Sequence, residues 1–516
     1  MNNRKRTAKR VDVRRVFEEE QTARRFRFYQ TGAPVSLGLL LLYTLASALV
    51  LTMQQWSFAW EQMRSGVVMG CLLLVLNLAL GLYVAAYETK LLRNHLRGIT
   101  LLATMFVMIV LVRVGLVLNW SPYLVVVPVM VTAIILTIAY SQRFALGVAS
   151  YLALICVLAL SDREVQTQPA LGVLLATGAG MGIAILTLRD IRTRSKLLIV
   201  GTLAGVVVFA VIWLVSYWQK QRPPMPEILT NSLYGGLGAF SVGIVIQALL
   251  PIIERIFNVA TGLTLLDYSE AKKPLLRRLA MEAPGTFNHS WQLGMMAESA
   301  AEAIGANGLL CRVGCYYHDV GKLGKPRYFV ENQAELFNQH KELSPTMSRI
   351  IIFGHVKDGL ELAREYKLPQ VLHQFIATHH GTTLVKYFYA EALKKAQETG
   401  SPVNEMEFRY PGPKPQTREA AIIMITDAVE GATRAMQEPT PSRIESVVHQ
   451  LVMERLQDGQ FDECDLTMKE LKVIEDSLVK SLCGMYHTRI AYPKIGRPGE
   501  REDGAERERA GQEQRL

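Results

Sequence analysis

Hydrophobic residues fall in long unbroken runs over the first half of the chain and at helical spacing over the second. Eight runs stand out: Val35 to Met53, Gly66 to Tyr87, Gly98 to Leu118, Pro122 to Tyr140, Phe144 to Leu160, Pro169 to Leu188, Leu197 to Trp218 and Leu229 to Ile253. Each is close to the roughly 20 residues that a helix needs to cross a bilayer, so eight transmembrane helices are predicted. Ala46-Ser47-Ala48 looks like a cleavage site, but the first run and its charged flank are both long, which favours an uncleaved anchor. Beyond Ile253, apolar residues recur every three or four positions through Ile256-Phe257, Leu263 to Leu266 and Leu275 to Leu279, as in amphipathic helices leaving a membrane. From Ala283 to about Pro493, helical periods alternate with short turn signals. The predicted fold class is all-α, a polytopic transmembrane helical bundle followed by a compact helical domain. The expected divisions are a basic tail over 1–34, a membrane domain over 35–253, a connector over 254–285, a soluble domain over 286–493 and a disordered end over 494–516.

Charge sets the expected orientation. Of the formal net charge of +10, ten Lys and Arg lie in the first 27 residues, ahead of the first apolar run. Positive-inside topology and anionic lipid account for these residues without a DNA or RNA polymer as partner. Loops on the same predicted side hold Lys90, Arg93, Arg97, Arg143, Arg189, Arg192, Arg194 and Lys196, whereas the opposite loops hold only Arg64, Arg163, Lys220 and Arg222. Tail and soluble domain are therefore expected on the cytoplasmic side of the cell membrane. The six cysteines have neither disulfide nor zinc spacing, which fits a reducing compartment. Few polar groups interrupt the spans, Asn77 being an obvious one, and this argues against a conduction path. Gly178 and Gly182, at small-xxx-small spacing, predict close helix packing, with a homodimer contact as the second reading.

The candidate chemistry lies in the soluble half. Of ten histidines, His289, His318, His355, His379 and His380, together with Asp319 and Asp427, form a scattered set of imidazoles and carboxylates. Neighbouring residues of one helix diverge by about 100°. The adjacent pairs His318-Asp319 and His379-His380 then suggest two ions with Asp319 between them. Such ligands suit Mn, Fe or other first-row ions better than Ca or Mg. Two metals sharing a hydroxide can drive in-line displacement at a phosphodiester. Lys322 is placed to hold a non-bridging phosphate oxygen. The remaining histidines, His340 and His373 among them, are read as surface or capping residues.

These residues carry a resemblance. Glu282-Ala283-Pro284-Gly285-Thr286-Phe287-Asn288-His289-Ser290, His318-Asp319-Val320-Gly321-Lys322, Glu331-Asn332-Gln333, Gly354-His355-Val356-Lys357-Asp358-Gly359, His379-His380-Gly381-Thr382-Thr383, Phe408 to Pro415 and Asp427-Ala428-Val429-Glu430 resemble the HD-domain phosphohydrolases. Specifically, they resemble the seven-transmembrane HD family that includes the PgpH-type cyclic di-AMP phosphodiesterases. The resemblance implies one metal on His289, His318, Asp319 and Asp427 and a second on Asp319, His355, His379 and His380. It also implies hydrolysis of cyclic di-AMP to linear pApA. Lys322, Lys325 and Arg434 are candidate substrate contacts. The family commonly carries a large extracellular domain after its first span, whereas only Gln54 to Ser65 separate the first two runs here. Rival readings are a cyclic di-GMP phosphodiesterase, whose Gly-Tyr-Pro signature is missing after His380-Gly381, and a non-catalytic nucleotide-binding membrane receptor.

Overall fold

Each predicted apolar run is a helix. The computed structural model describes residues 33–52, 60–88, 91, 95–161, 168–188, 190–219, 223–333, 339–399 and 402–487. The basic tail, the charged end and loop cations such as Lys90, Arg93, Arg163, Arg189, Lys220 and Arg222 lie outside them. In the first half, α1 (Ala33–Thr52), α2 (Trp60–Tyr87), α3 (His95–Val117), α4 (Val126–Ala139, continuing a 3-10 turn over Pro122–Val125), α5 (Gln142–Ser161), α6 (Gln168–Thr187), α7 (Ser195–Trp218) and α8 (Met225–Phe257) supply, with that turn, eight segments long and apolar enough to cross a membrane. The last helix outruns its apolar stretch. It passes Pro251 and ends where Asn258 adopts the left-handed conformation at φ 55°. A helix stops where its backbone is capped, not where its side chains turn polar. Glu254 fastens the turn that follows, accepting from the Thr261 amide at 2.7 Å and from the Thr261 and Thr264 hydroxyls at 2.6 and 2.8 Å.

Two features hold this bundle together. Asn77, fully buried on α2, donates to Thr44 Oγ1 of α1 at 2.7 Å and accepts from the Tyr151 hydroxyl of α5. In lipid, such interhelical bonds replace the hydrophobic drive that associates helices in water. The tightest crossing lies between α7 and α8. A Cβ added at Gly205 would stand 2.7 Å from the Gly236 carbonyl oxygen, and one at Gly243 would stand 2.5 Å from that of Leu197. The close packing expected of Gly178 and Gly182 is not found there. No described atom of the chain comes within 4 Å of a Cβ built at either position, because the inward face of α6 runs through Val173, Ala176, Gly180 and Ala184. Leu45, Leu82, Leu186 and Leu214 point outward, two-thirds or more exposed, as lipid-facing positions do.

The boundary between the two compact units falls between Tyr268 and Ser269. The short helix α9 (Gly262–Tyr268) belongs to the first unit and α10 (Pro274–Glu282) to the second. There follow α11 (Pro284–Ala303), α12 (Gly308–His318), α13 (Pro345–Glu365), α14 (Gln370–Thr378), α15 (Lys386–Thr399), α16 (Arg418–Arg434), α17 (Pro441–Gln457) and α18 (Met468–His487), with 3-10 turns between some of them. Among the described residues the only extended pairing is one isolated bridge, Leu384 with Arg409. Helix α11 packs against α12, α16 and α18, and its inner face carries His289, Leu293, Met296, Ala297 and Ala300.

Candidate metal centre

Five segments far apart in sequence place the seven expected side chains together. Pro284 opens α11 at its first turn, where a missing N–H does no harm, and His289 follows on the buried face. Helix α12 ends on His318. Asp319 is its C-cap, with φ −109° and ψ 15°, and a 3-10 turn over Val320–Gly324 follows. The two side chains are thus not consecutive spokes of one helix, and Asp319 Oδ2 reaches to 3.1 Å from His318 Nε2. Likewise α14 ends at Thr378, so His379 and His380 stand in the turn beyond it, ring centroids 4.0 Å apart. The divergence assumed from sequence fails at both helix ends, because the backbone leaves the helix there. The grouping itself shows how Asp319 is shared.

Asp319 Oδ1 lies 3.4 Å from His355 Nε2 and 3.6 Å from His379 Nε2. Its other oxygen faces His318 and, at 4.0 Å, His289. Asp427 Oδ1 closes the second side at 3.1 Å from His289 Nε2 and 3.7 Å from His318 Nε2. Two sets of donor atoms, Asp319 with His355, His379 and His380, and Asp319 with His289 and His318, each fit within 4.8 Å and share one carboxylate.

The ring orientations have a common cause. Nδ1 of His318 donates to the Cys315 carbonyl at 2.7 Å, that of His379 to the Phe375 and Ile376 carbonyls at 3.0 Å, and that of His355 to the Ile352 carbonyl. His289 Nδ1 lies 2.8 Å from the buried Glu430 carboxylate. An imidazole whose Nδ1 is committed outward turns its Nε2 lone pair inward, as metal-bound histidines do. His318 Nε2 and Asp319 Oδ1 are buried and aligned for no hydrogen bond. Buried lone pairs left this way are costly unless a cation meets them. This donor set fits divalent metal ions.

Burial pushes the His355 imidazole down to about 4, against the pull of Asp319, and holds His380 well below its usual range with His379 and His355 adding to the effect. Both are thus neutral and able to bind a metal near neutral pH. Burial opposes charging of His318 as well, but Asp319 and Asp427 overcome it and push that ring up to about 10. Asp319 is held well below the carboxylate range despite burial, by His318 and Lys322, and Asp427 likewise by the neighbouring His289 and His318 rings. A sign follows for stability. Groups with lowered pKa bind fewer protons folded than unfolded, so their contribution is lost on acidification; the raised His318 contributes fully below its unfolded value and offsets nothing there. Chelator-treated protein is therefore expected to lose melting temperature as pH falls from about 6.5 toward 4, which a thermal-shift series measures.

Lys322, expected at a phosphate, is largely covered and held in two ion pairs, 2.7 Å from Asp319 Oδ2 and 2.6 Å from Glu331 Oε1. Lys325 and Arg434 are exposed, Arg434 lying 3.4 Å from Glu430. His340 is not the surface residue expected. It is buried between Tyr328 and Phe388, with Nε2 2.8 Å from the Tyr328 carbonyl oxygen. Three groups at the site were not legible in advance. Glu430 stands behind His289, its carboxylate 2.8 Å from Nδ1. Tyr410 lies over His380 with ring centroids 4.2 Å apart, and its neighbour Arg409 makes a two-bond pair with Asp458 at 2.9 and 3.0 Å. Gly321 carries no Cβ, and one there would stand 1.8 Å from the His355 carbonyl oxygen. All three stand in stretches that carry the family resemblance, but residue type alone gave none of them a role.

A helical unit in which five histidines and two aspartates converge, in a chain whose other unit is a bundle of helices apolar enough to cross a membrane, has the make-up of a membrane protein with an HD-type domain. Comparison with known proteins agrees. The family model described as "7TM receptor with intracellular HD hydrolase" matches residues 64–261, and the model described as "HD domain" matches residues 286–432. The chain belongs to this family of seven-transmembrane proteins with an HD hydrolase domain. The first match contains α3 to α8 and nearly all of α2, and α1 precedes it. The chain is 40% identical over 370 residues to the cyclic-di-AMP phosphodiesterase PgpH of Bacillus subtilis (strain 168), covering 71% of this chain and 51% of that protein. It is 39% identical over 369 residues to the protein of the same name from Listeria monocytogenes, covering 71% and 50%. It thus spans about half the length of the curated relatives it matches. The crystal structure of the L. monocytogenes phosphodiesterase PgpH HD domain in complex with cyclic-di-AMP is 49% identical, covering 42% of this chain and all of that one, with a TM-score of 0.40.

Proposed function

We propose that this protein is a metal-dependent phosphodiesterase that opens cyclic di-AMP to linear pApA at the cytoplasmic face of the cell membrane. The observation that most supports this reading is Asp319, whose two carboxylate oxygens face different histidine groups. The curated relatives named for that activity support it as well. In this reading His289, His318, Asp319 and Asp427 hold one divalent ion, Mn or Fe, and Asp319, His355, His379 and His380 hold a second. When bound, such ions supply Lewis acidity toward the phosphodiester and bring the pKa of water toward about 7. The chain's own groups do the rest. The outward Nδ1 partners of His289, His318, His355 and His379 keep their Nε2 atoms on the reaction side. Lys322 has three N–H donors and spends two on Asp319 and Glu331, leaving the third for a non-bridging phosphate oxygen. Lys325 and Arg434 meet more distant substrate groups. Water oxygen joins phosphorus, the P–O3′ bond breaks, and the 3′ oxygen departs with a proton. The cytoplasmic placement rests on the loop cations, and the homodimer reading on the open Gly178/Gly182 face of α6.

The test is to incubate detergent-purified full-length protein with cyclic di-AMP and cyclic di-GMP side by side, first with Mn(II) and then with a chelator. The expected result is pApA from cyclic di-AMP, stopped by the chelator. Cyclic di-AMP that binds but stays intact for hours would make the protein a receptor instead, and faster cleavage of cyclic di-GMP would reassign the substrate.

A further inference from the structure

Glu331 lies outside the set of metal-ligand candidates, yet it is tied to it through Lys322. The ammonium of Lys322 stands between two carboxylates, 2.7 Å from Asp319 and 2.6 Å from Glu331, with its side chain only 13% exposed and the Phe329 ring 5.0 Å away. Glu331 in turn is not free to follow a moving lysine. Its carboxylate accepts from the Thr286 hydroxyl at 3.1 Å, and the next residue, Asn332, accepts from the Thr286 amide at 3.1 Å and donates to that hydroxyl at 2.8 Å. The turn over Val330–Asn332 is thereby bolted to the first turn of α11, one turn before His289.

This arrangement has an electrostatic consequence. A fixed ammonium 2.7 Å from Asp319 Oδ2 competes with any cation for that oxygen and repels it, and the repulsion is strong where water is scarce. A second anion on the far side of the ammonium cancels its charge while leaving its remaining N–H free. We infer that Glu331 is a positioning residue that neutralises Lys322, so that the Asp319 carboxylate stays available to divalent ions while the lysine is retained beside them. The inference rests on the metal-centre reading above and concerns a residue that contributes no ligand.

The test is a Mn(II) titration of full-length protein in detergent by calorimetry, with the melting temperature of each variant measured in chelator. Glu331→Gln keeps the shape and the acceptor for Thr286 but removes the charge, and is expected to weaken Mn(II) binding about 10–100-fold, as loss of an outer partner does at other metal sites. Lys322→Met removes the competing cation and is expected to tighten it by about tenfold or more. The double variant, with both charges gone, is expected to return to within about threefold of the parent, since the two effects act on one another. Unchanged Mn(II) affinity in Glu331→Gln, or a double variant as weak as Glu331→Gln alone, would overturn the inference and leave Glu331 as a brace for α11. If Glu331→Gln does not fold, the signs for Lys322→Met and the double variant still decide. A parent protein that takes up no Mn(II) removes the metal-centre reading along with this one.

Discussion

Replacing Asp319 with alanine is expected to abolish turnover and to lower bound metal at both ligand groups together. The expectation follows from the two oxygens of this carboxylate, one 3.4 Å from His355 Nε2 and the other 3.1 Å from His318 Nε2. No other described side chain belongs to both donor groups. On the proposed mechanism, the metals stabilise charge in the transition state by several kcal/mol, so the rate should fall by about 10³-fold or more. Metal analysis of the purified variant, alongside a single-turnover assay, checks this. The helical fold, followed by circular dichroism, should persist, because the surrounding core of Leu293, Val313, Tyr317, Phe375 and Ile423 is untouched. Two retained metals with normal turnover would show that the bridge is misassigned.

The second large effect is expected at a residue with no functional group. In Gly321→Ala the added methyl would stand 1.8 Å from the His355 carbonyl oxygen and 2.5 Å from the Gly359 amide nitrogen. Both are backbone atoms of α13 and cannot rotate aside. Relief requires the Val320–Gly324 turn and α13 to move apart, which carries His355 away from Asp319. Overpacking of this kind costs about 1–3 kcal/mol of stability, occasionally more, and a displacement of about 1 Å at a reacting centre can cost about 10²-fold in rate. The expected variant therefore melts earlier, turns over at least about 100-fold more slowly and loses metal first from the group containing His355. A Gly321→Ala protein with parental melting temperature and rate would refute the close approach.

The seven candidate ligands could be named from residue type and family resemblance, but their convergence could not be read locally. His289 and Asp427 meet at 3.1 Å across 138 positions of sequence. The pair His318-Asp319 was expected at two ions from the divergence of neighbouring helical residues, but the helix ends between them and that divergence does not apply. Lys322 shows the same limit from the other side. Its type suggested an anion, and the protein supplies two of its own, Asp319 and Glu331. In the membrane half, the expected small-residue packing at Gly178 and Gly182 was displaced to Gly201, Gly205, Gly236 and Gly243, because spacing identifies a face of a helix without saying what it meets.

By itself the sequence determined the division into eight apolar helices and a helical domain, together with the stock of imidazoles, carboxylates and cations from which a site could be built. These are local properties, fixed by run length against bilayer thickness and by helical period. Only the tertiary structure decided that Asp319 would turn one oxygen to each histidine group, that Glu331 and Glu430 would stand behind Lys322 and His289, and that Gly321 would let α13 come so close. Those outcomes depend on where helices stop and how nearly their backbones approach, which packing sets and no stretch of sequence contains.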